Sequence, residues 1–80
     1  NEVWAESEID LVAYDDHHLV VGECKYRNKM AGIHELIRLQ EKAAFISRGS
    51  RDIYYLLASR SGFTDELKGL GDHVILIDQI

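Results

Sequence analysis

Asp10, Glu23 and Lys25 are the residues whose types and spacing could do chemistry in this chain. Two carboxylates brought together can share a divalent cation. An ammonium two residues beyond one of them can neutralise a phosphate or hold an attacking water. Such a set is the equipment for hydrolysing a phosphodiester, in which a metal polarises the phosphate and a cation meets the developing charge. The set works only if the chain folds so that the three meet.

The elements around them are legible. Glu8 to Tyr14 alternates, with Ile9, Leu11 and Ala13 as one set of side chains, which is strand periodicity. Asp15-Asp16-His17-His18 is a polar turn, and Leu19 to Tyr26 is a second strand whose small apolar face is Val20, Gly22 and Cys24. A turn centred on Asp16-His17, or a loop from Asp15 to His18, sets one register. Tyr14 then faces Leu19, Val12 faces Val21, Asp10 faces Glu23 and Glu8 faces Lys25, all on one face of the sheet. Opposed β-carbons lie about 4.5–5.5 Å apart, and like charges at that separation destabilise a sheet. A divalent cation removes the conflict. Mg²⁺ takes oxygen ligands at about 2.0–2.1 Å and keeps several waters, so Asp10 and Glu23 could both reach one ion. Lys25 lies about 6–7 Å further along the same face. A solvated sheet face with a Glu8–Lys25 cross-strand pair is the alternative, and it leaves Asp10 opposite Glu23 unaccounted for. The apolar residues Val12, Val21, Tyr14 and Leu19 predict partial burial at the other end of that face.

Beyond the hairpin, Asn28 to Gly32 breaks the pattern. Ile33 to Arg48 reads as a helix in which Ile33, Leu36, Ile37 and Ala44 recur at helical spacing. Gln40 falls at the centre of that stripe and should point at the sheet, where a buried amide needs partners; a hydrogen bond to a strand end is one way to meet that need. Gly49-Ser50 ends the helix. The run from Ile53 to Ala58 reads as a buried parallel strand, with Tyr54 and Tyr55 as packing residues. Ser61-Gly62 turns the chain, and Thr64 can cap a short helix with Asp65 and Glu66 in its first turn and Gly69 or Gly71 as its stop. Val74 to Ile77 is the last strand. The expected fold is α/β, a mixed sheet in the order strand, strand, helix, strand, short helix, strand. The helix crossover should make the third strand parallel to the second, with a right-handed connection.

Bulk properties narrow the setting. The 80 residues make a single domain, and a hydrophobic content of 46% argues against a disordered chain. No run of about 18 apolar residues is present, so no membrane helix and no secretory leader are expected. One cysteine, Cys24, suits a reducing, cytoplasmic location. The net charge of −5 argues against a protein that coats DNA, though not against an enzyme holding carboxylates around a metal. Arg27, Lys29, Arg48, Arg51 and Arg60 could touch a phosphate backbone or simply lie solvated. His17 and His18 read as exposed turn residues, and His34 and His73 have no partner pattern. No phosphate-cradling Gly-rich loop is present, so ATP hydrolysis would belong to another domain. Because the chain starts with Asn1 and enters a strand pattern within a few residues, it reads as a piece of a longer protein.

Glu8-Ile9-Asp10-Leu11-Val12-Ala13, a turn, Val21-Gly22-Glu23-Cys24-Lys25 and then a helix resemble the PD-(D/E)XK nuclease superfamily, whose signature is an acidic residue on one strand and Glu-x-Lys on the next. With Trp4 and Ser61-Gly62-Phe63-Thr64 included, the chain looks more narrowly like a domain of unknown function at the C-terminus of archaeal and bacterial P-loop ATPases. The resemblance implies a restriction-endonuclease-like core and a Mg²⁺- or Mn²⁺-dependent nuclease acting on DNA. It also implies a P-loop ATPase domain in the same polypeptide, and leaves room for an oligomer. Asp10 and Glu23 would be metal ligands, the Cys24 carbonyl a third, and Lys25 the catalytic cation. Glu8 is the outlying member of the metal set, and Gln40 resembles a helix glutamine that some members carry near the metal. The superfamily core opens with a helix before the Asp-bearing strand; only Asn1 to Ala5 precede Glu8 here, so that helix is expected to be missing. The competing expectation is a catalytically silent nuclease-fold module that serves as an interaction or regulatory domain of the ATPase.

Overall fold

The computed structural model describes residues 9–47, 49 and 51–78. Four strands, β1 (Leu11–Tyr14), β2 (His18–Lys25), β3 (Asp52–Ser59) and β4 (Val74–Ile77), form one sheet in that spatial order. β1 and β2 are antiparallel, β2 and β3 parallel, and β3 and β4 parallel, so the sheet is mixed. The helix α1 (Ile33–Ile46) makes the crossover between the parallel pair β2 and β3, and a single 3-10 turn, Asp65–Leu67, lies before β4.

The hairpin closes as its residues dictate. Asp15 Oδ1 accepts from the backbone N–H groups of His17 at 2.8 Å and His18 at 2.7 Å, and the Asp15 N–H donates to the His18 carbonyl at 3.0 Å. Those bonds to the side chain stabilise the ionised carboxylate and hold the Asp15 pKa below its usual value, the His17 N–H having the largest effect. The register is Leu11 with Gly22, Val12 with Val21, Ala13 with Val20 and Tyr14 with Leu19, as the even-length turn requires. β1 is shorter than the alternating pattern suggested: Asp10 lies in a bend just before it.

One face of the sheet is covered by α1. The core there comprises Leu19 and Val21 of β2, Leu57 of β3, Leu36, Leu39 and Ala43 of α1, and Ala31, Phe63 and Leu67 from the connections. Val12 and Tyr14 share this face by register, yet they are 44% and 70% exposed. Their expected partial burial fails because α1 packs against β2 and β3 and leaves β1 outside its footprint. On the opposite face Leu11, Ile75 and Ile77 of the outer strands are exposed, whereas Ala58 of β3 is buried. Tyr55 packs against the core and Tyr54 stacks on the His73 ring with centroids 4.4 Å apart, which gives both tyrosines packing roles.

The helix is rotated from the expected stripe. Leu36, Leu39 and Ala43 are buried, and Ile33 and Ile46 pack partly against the core. Ile37, Gln40 and Ala44 are exposed, so Gln40 does not point at the sheet. Apolar residues lie on more than one face of this helix, and two stripes both satisfy a 3.6-residue period. Packing selects the one that buries the large Leu39. Thr64 does sit at the N-cap of the 3-10 turn, but its hydroxyl makes no cap bond, and the turn stops at Leu67, before either glycine.

Candidate metal centre

Asp10 is placed by the backbone of β2. Its Oδ2 accepts from the Cys24 N–H at 2.9 Å. The β1–β2 ladder has run out at Leu11–Gly22, so this carboxylate takes the place of the next strand residue. The Lys25 carbonyl accepts from the Arg60 N–H at 3.0 Å, on the β3 side. Polar groups of successive strand residues point to alternate edges, so the N–H and C=O of Cys24 face β1 and Asp10. Asp10 and Glu23 thus flank the Cys24 peptide. One oxygen of Asp10 is used, and a carboxylate has about four lone-pair sites, so the group retains capacity for a second partner.

Glu23 lies on the helix-covered face and is 8% exposed. A buried carboxylate must be compensated, and here two ammoniums meet it. Lys25 Nζ is 3.6 Å from Glu23 Oε1 and Lys42 Nζ is 3.2 Å from the same oxygen. Each carboxylate is met by the chain itself: Asp10 has an N–H donor and Glu23 has two cations. Lys25 is paired in register with Ser59, which is fully buried and whose Oγ has no hydrogen-bond partner among the described residues.

Behind this centre the loop between β2 and α1 is braced. Glu35 accepts from the Gly32 N–H at 2.9 Å with one oxygen and from Arg27 Nη2 at 2.6 Å with the other. The Glu35 N–H returns to the Gly32 carbonyl at 3.0 Å, so Glu35 closes the first turn of α1. Burial alone pushes the Glu35 pKa up and is the largest single effect. The Gly32 N–H, the Arg27 hydrogen bond, its own backbone N–H and the Arg27 charge together outweigh it and hold the carboxyl at about 2. The segment Ser61 to Thr64 ties in from the other side. The Ser61 hydroxyl donates to the Arg27 carbonyl, Ala31 N–H donates to the Gly62 carbonyl at 2.9 Å, and Thr64 N–H donates to the Ala31 carbonyl at 2.9 Å.

Asp10, Glu23, Cys24 and Lys25 are thus brought to one end of β2. Gln40 is exposed on α1, and the helix presents Lys42 to Glu23 in its stead. Glu8, Trp4 and Arg48 lie outside the described residues. His18 pairs with Asp15 at 3.1 Å and His73 with Asp52 at 2.9 Å, both on exposed groups away from Glu23. Sequence reasoning missed Lys42 and Glu35. Lys42 is three positions beyond Leu39, so it would have been found by centring the inward stripe on Leu39. Glu35 sits three residues after Gly32, the spacing of an acidic residue that reaches back to an N-cap N–H.

The donor set suits a hard cation. Two carboxylates and a backbone carbonyl are oxygen ligands of the kind Mg²⁺ takes, with water completing the shell. Among the described residues no cluster of three or more His, Cys, Asp or Glu side chains could hold a metal. No helix among the described residues is long and apolar enough to cross a membrane. Comparison with protein-family models, with curated proteins and with solved structures found no match.

Proposed function

We propose that this domain hydrolyses phosphodiester bonds of DNA with the help of Mg²⁺ or Mn²⁺. In this reading it has a restriction-endonuclease-like core resembling the PD-(D/E)XK nucleases, and it is attached to a P-loop ATPase in a cytoplasmic protein. The observation that carries the reading is the meeting of Asp10 with the Glu23-Cys24-Lys25 segment, through the 2.9 Å bond from the Cys24 N–H to Asp10. Asp10, Glu23 and the Cys24 carbonyl would hold the ion. Bound there, the ion would polarise a phosphate oxygen and lower the pKa of a water. The residues have separate tasks. The Cys24 N–H fixes the Asp10 carboxylate, Lys25 holds the Glu23 carboxylate and offers its ammonium to a phosphate, and the Arg27–Glu35 brace fixes the loop that follows Lys25.

The test is cleavage of single-stranded, double-stranded and branched DNA by the full-length polypeptide, with Mg²⁺ and with Mn²⁺. Lys25→Ala should lower the rate about 10²–10³-fold, the usual effect of losing a positioned electrostatic contact, while metal binding persists. Cleavage surviving Lys25→Ala at the wild-type rate would put the activity elsewhere. A second reading, a catalytically silent module that regulates the ATPase, is favoured by the double compensation of Glu23 and by the net charge of −5. Absence of cleavage on every substrate with both metals would favour it over the first.

A further inference from the structure

Glu23 carries more positive charge than its burial requires. One ammonium neutralises one carboxylate, yet Lys25 Nζ at 3.6 Å and Lys42 Nζ at 3.2 Å both address Oε1. The two contacts differ in kind. Lys42 is within hydrogen-bonding distance of that oxygen and occupies a lone pair, whereas the Lys25 contact is an ion pair only. Lys42 also comes from a different element. It stands on α1 beside Leu39 and Ala43, both buried against the sheet, so the helix backbone beneath it is fixed. Its side chain is 25% exposed, which leaves the ammonium a route to water.

We propose that Lys42 is a positioning residue that competes with the divalent cation for Glu23 Oε1. It holds the carboxylate in the metal-free protein and is displaced on metal binding. The inference rests on the metal centre proposed above. An oxygen that coordinates Mg²⁺ at about 2.0–2.1 Å cannot keep an ammonium hydrogen-bonded to the same lone pair, and a dication so close would repel both lysines. Lys42 is the one that gives way, because its ammonium stands closer to Oε1, at 3.2 Å against 3.6 Å for Lys25, and a dication on that oxygen repels it more strongly. The displaced ammonium stays tethered to the rim of the site, a second cation beside Lys25 on the side where an anionic substrate would arrive.

Direct measurement of metal binding tests this without any cleavage assay. Mn²⁺ is titrated calorimetrically into the metal-free protein and into K42M and K42R. Lys42→Met keeps the aliphatic stem and removes the charge, so it should bind Mn²⁺ about tenfold more tightly, within the usual range of coupling between two linked binding events. Lys42→Arg restores a competing cation and should return the affinity towards wild type. A merely structural lysine would not give that pattern. In the wild type, acetic anhydride should acetylate Lys42 several-fold faster once Mn²⁺ is added, as read by mass spectrometry; this arm holds even if the Met variant fails to fold. Equal affinity in wild type and K42M, with Mn²⁺ uptake abolished in D10N, would overturn the role of Lys42 and leave the metal centre standing. Uptake by none of the proteins would overturn both.

Discussion

Glu35→Gln removes one charge and little else, and the structure sets the size of the consequence. The carboxyl is held at about 2, against its usual 4.5, by the Gly32 N–H and the Arg27 guanidinium working against burial. At about 1.4 kcal/mol for each pKa unit, that depression sets an upper bound of about 3 kcal/mol at neutral pH, which solvent screening at the exposed Arg27 guanidinium lowers. The carbonyl oxygen of the substituted side chain would still accept from the Gly32 N–H. Its amide nitrogen would face Arg27, forfeiting a charge-assisted bond worth about 1.5–3 kcal/mol. The two routes agree on about 2–3 kcal/mol, or roughly 10 °C or more in Tm for a domain of this size. The folded pKa is the depressed one. The contribution is therefore complete above the unfolded value of 4.5 and is lost as pH falls towards 2. Urea unfolding of wild type and E35Q at pH 7, 5 and 3 should show a gap in stability that is full at pH 7, nearly full at pH 5 and much reduced at pH 3. A gap that stays constant from pH 7 to pH 3 would refute the assignment of this stability to an ionised Glu35.

Asp10→Asn keeps an acceptor for the Cys24 N–H and removes a charge. Its effect on the metal-free fold should stay below about 1 kcal/mol, while the rise in Tm that Mn²⁺ gives the wild type should vanish; an equal rise in both proteins would put the ion at another site. Gly62 has a φ of 85° and its carbonyl accepts the Ala31 N–H. Gly62→Ala should cost about 1–2 kcal/mol in urea unfolding, because a side chain disfavours that backbone region; an unchanged midpoint would show that the turn relaxes freely.

The strand pairing, and with it the approach of Asp10 to the Glu23-Cys24-Lys25 segment, was legible in the sequence. A period of two fixes which side chains share a face, and an even-length turn fixes the register, so Val12 opposite Val21 followed from counting. The parallel placement of β3 followed from the helix between the strands. Counting also put Asp10 opposite Glu23, a pair the ladder does not reach, and it could not show that the Asp10 carboxylate would spend an oxygen on the Cys24 N–H, because that depends on where the ladder stops.

The rotation of α1 was decided by tertiary packing. Apolar residues at Ile33, Leu36, Ile37, Leu39, Ala43, Ala44, Phe45 and Ile46 permit more than one inward stripe, and a periodicity cannot choose between stripes that share its period. Burying Leu39 chose. That choice turned Gln40 to solvent and carried Lys42 onto Glu23. The exposure of Val12 and Tyr14 had the same origin, since a single helix over β2 and β3 leaves the edge strand uncovered. Local chemistry and the count of residues thus determined the hairpin, its register and the placing of Asp10 and Glu23 at its open end. Which charges compensate them was settled only by the docking of a helix on a sheet, because a cation can reach a buried carboxylate from any element that packs beside it.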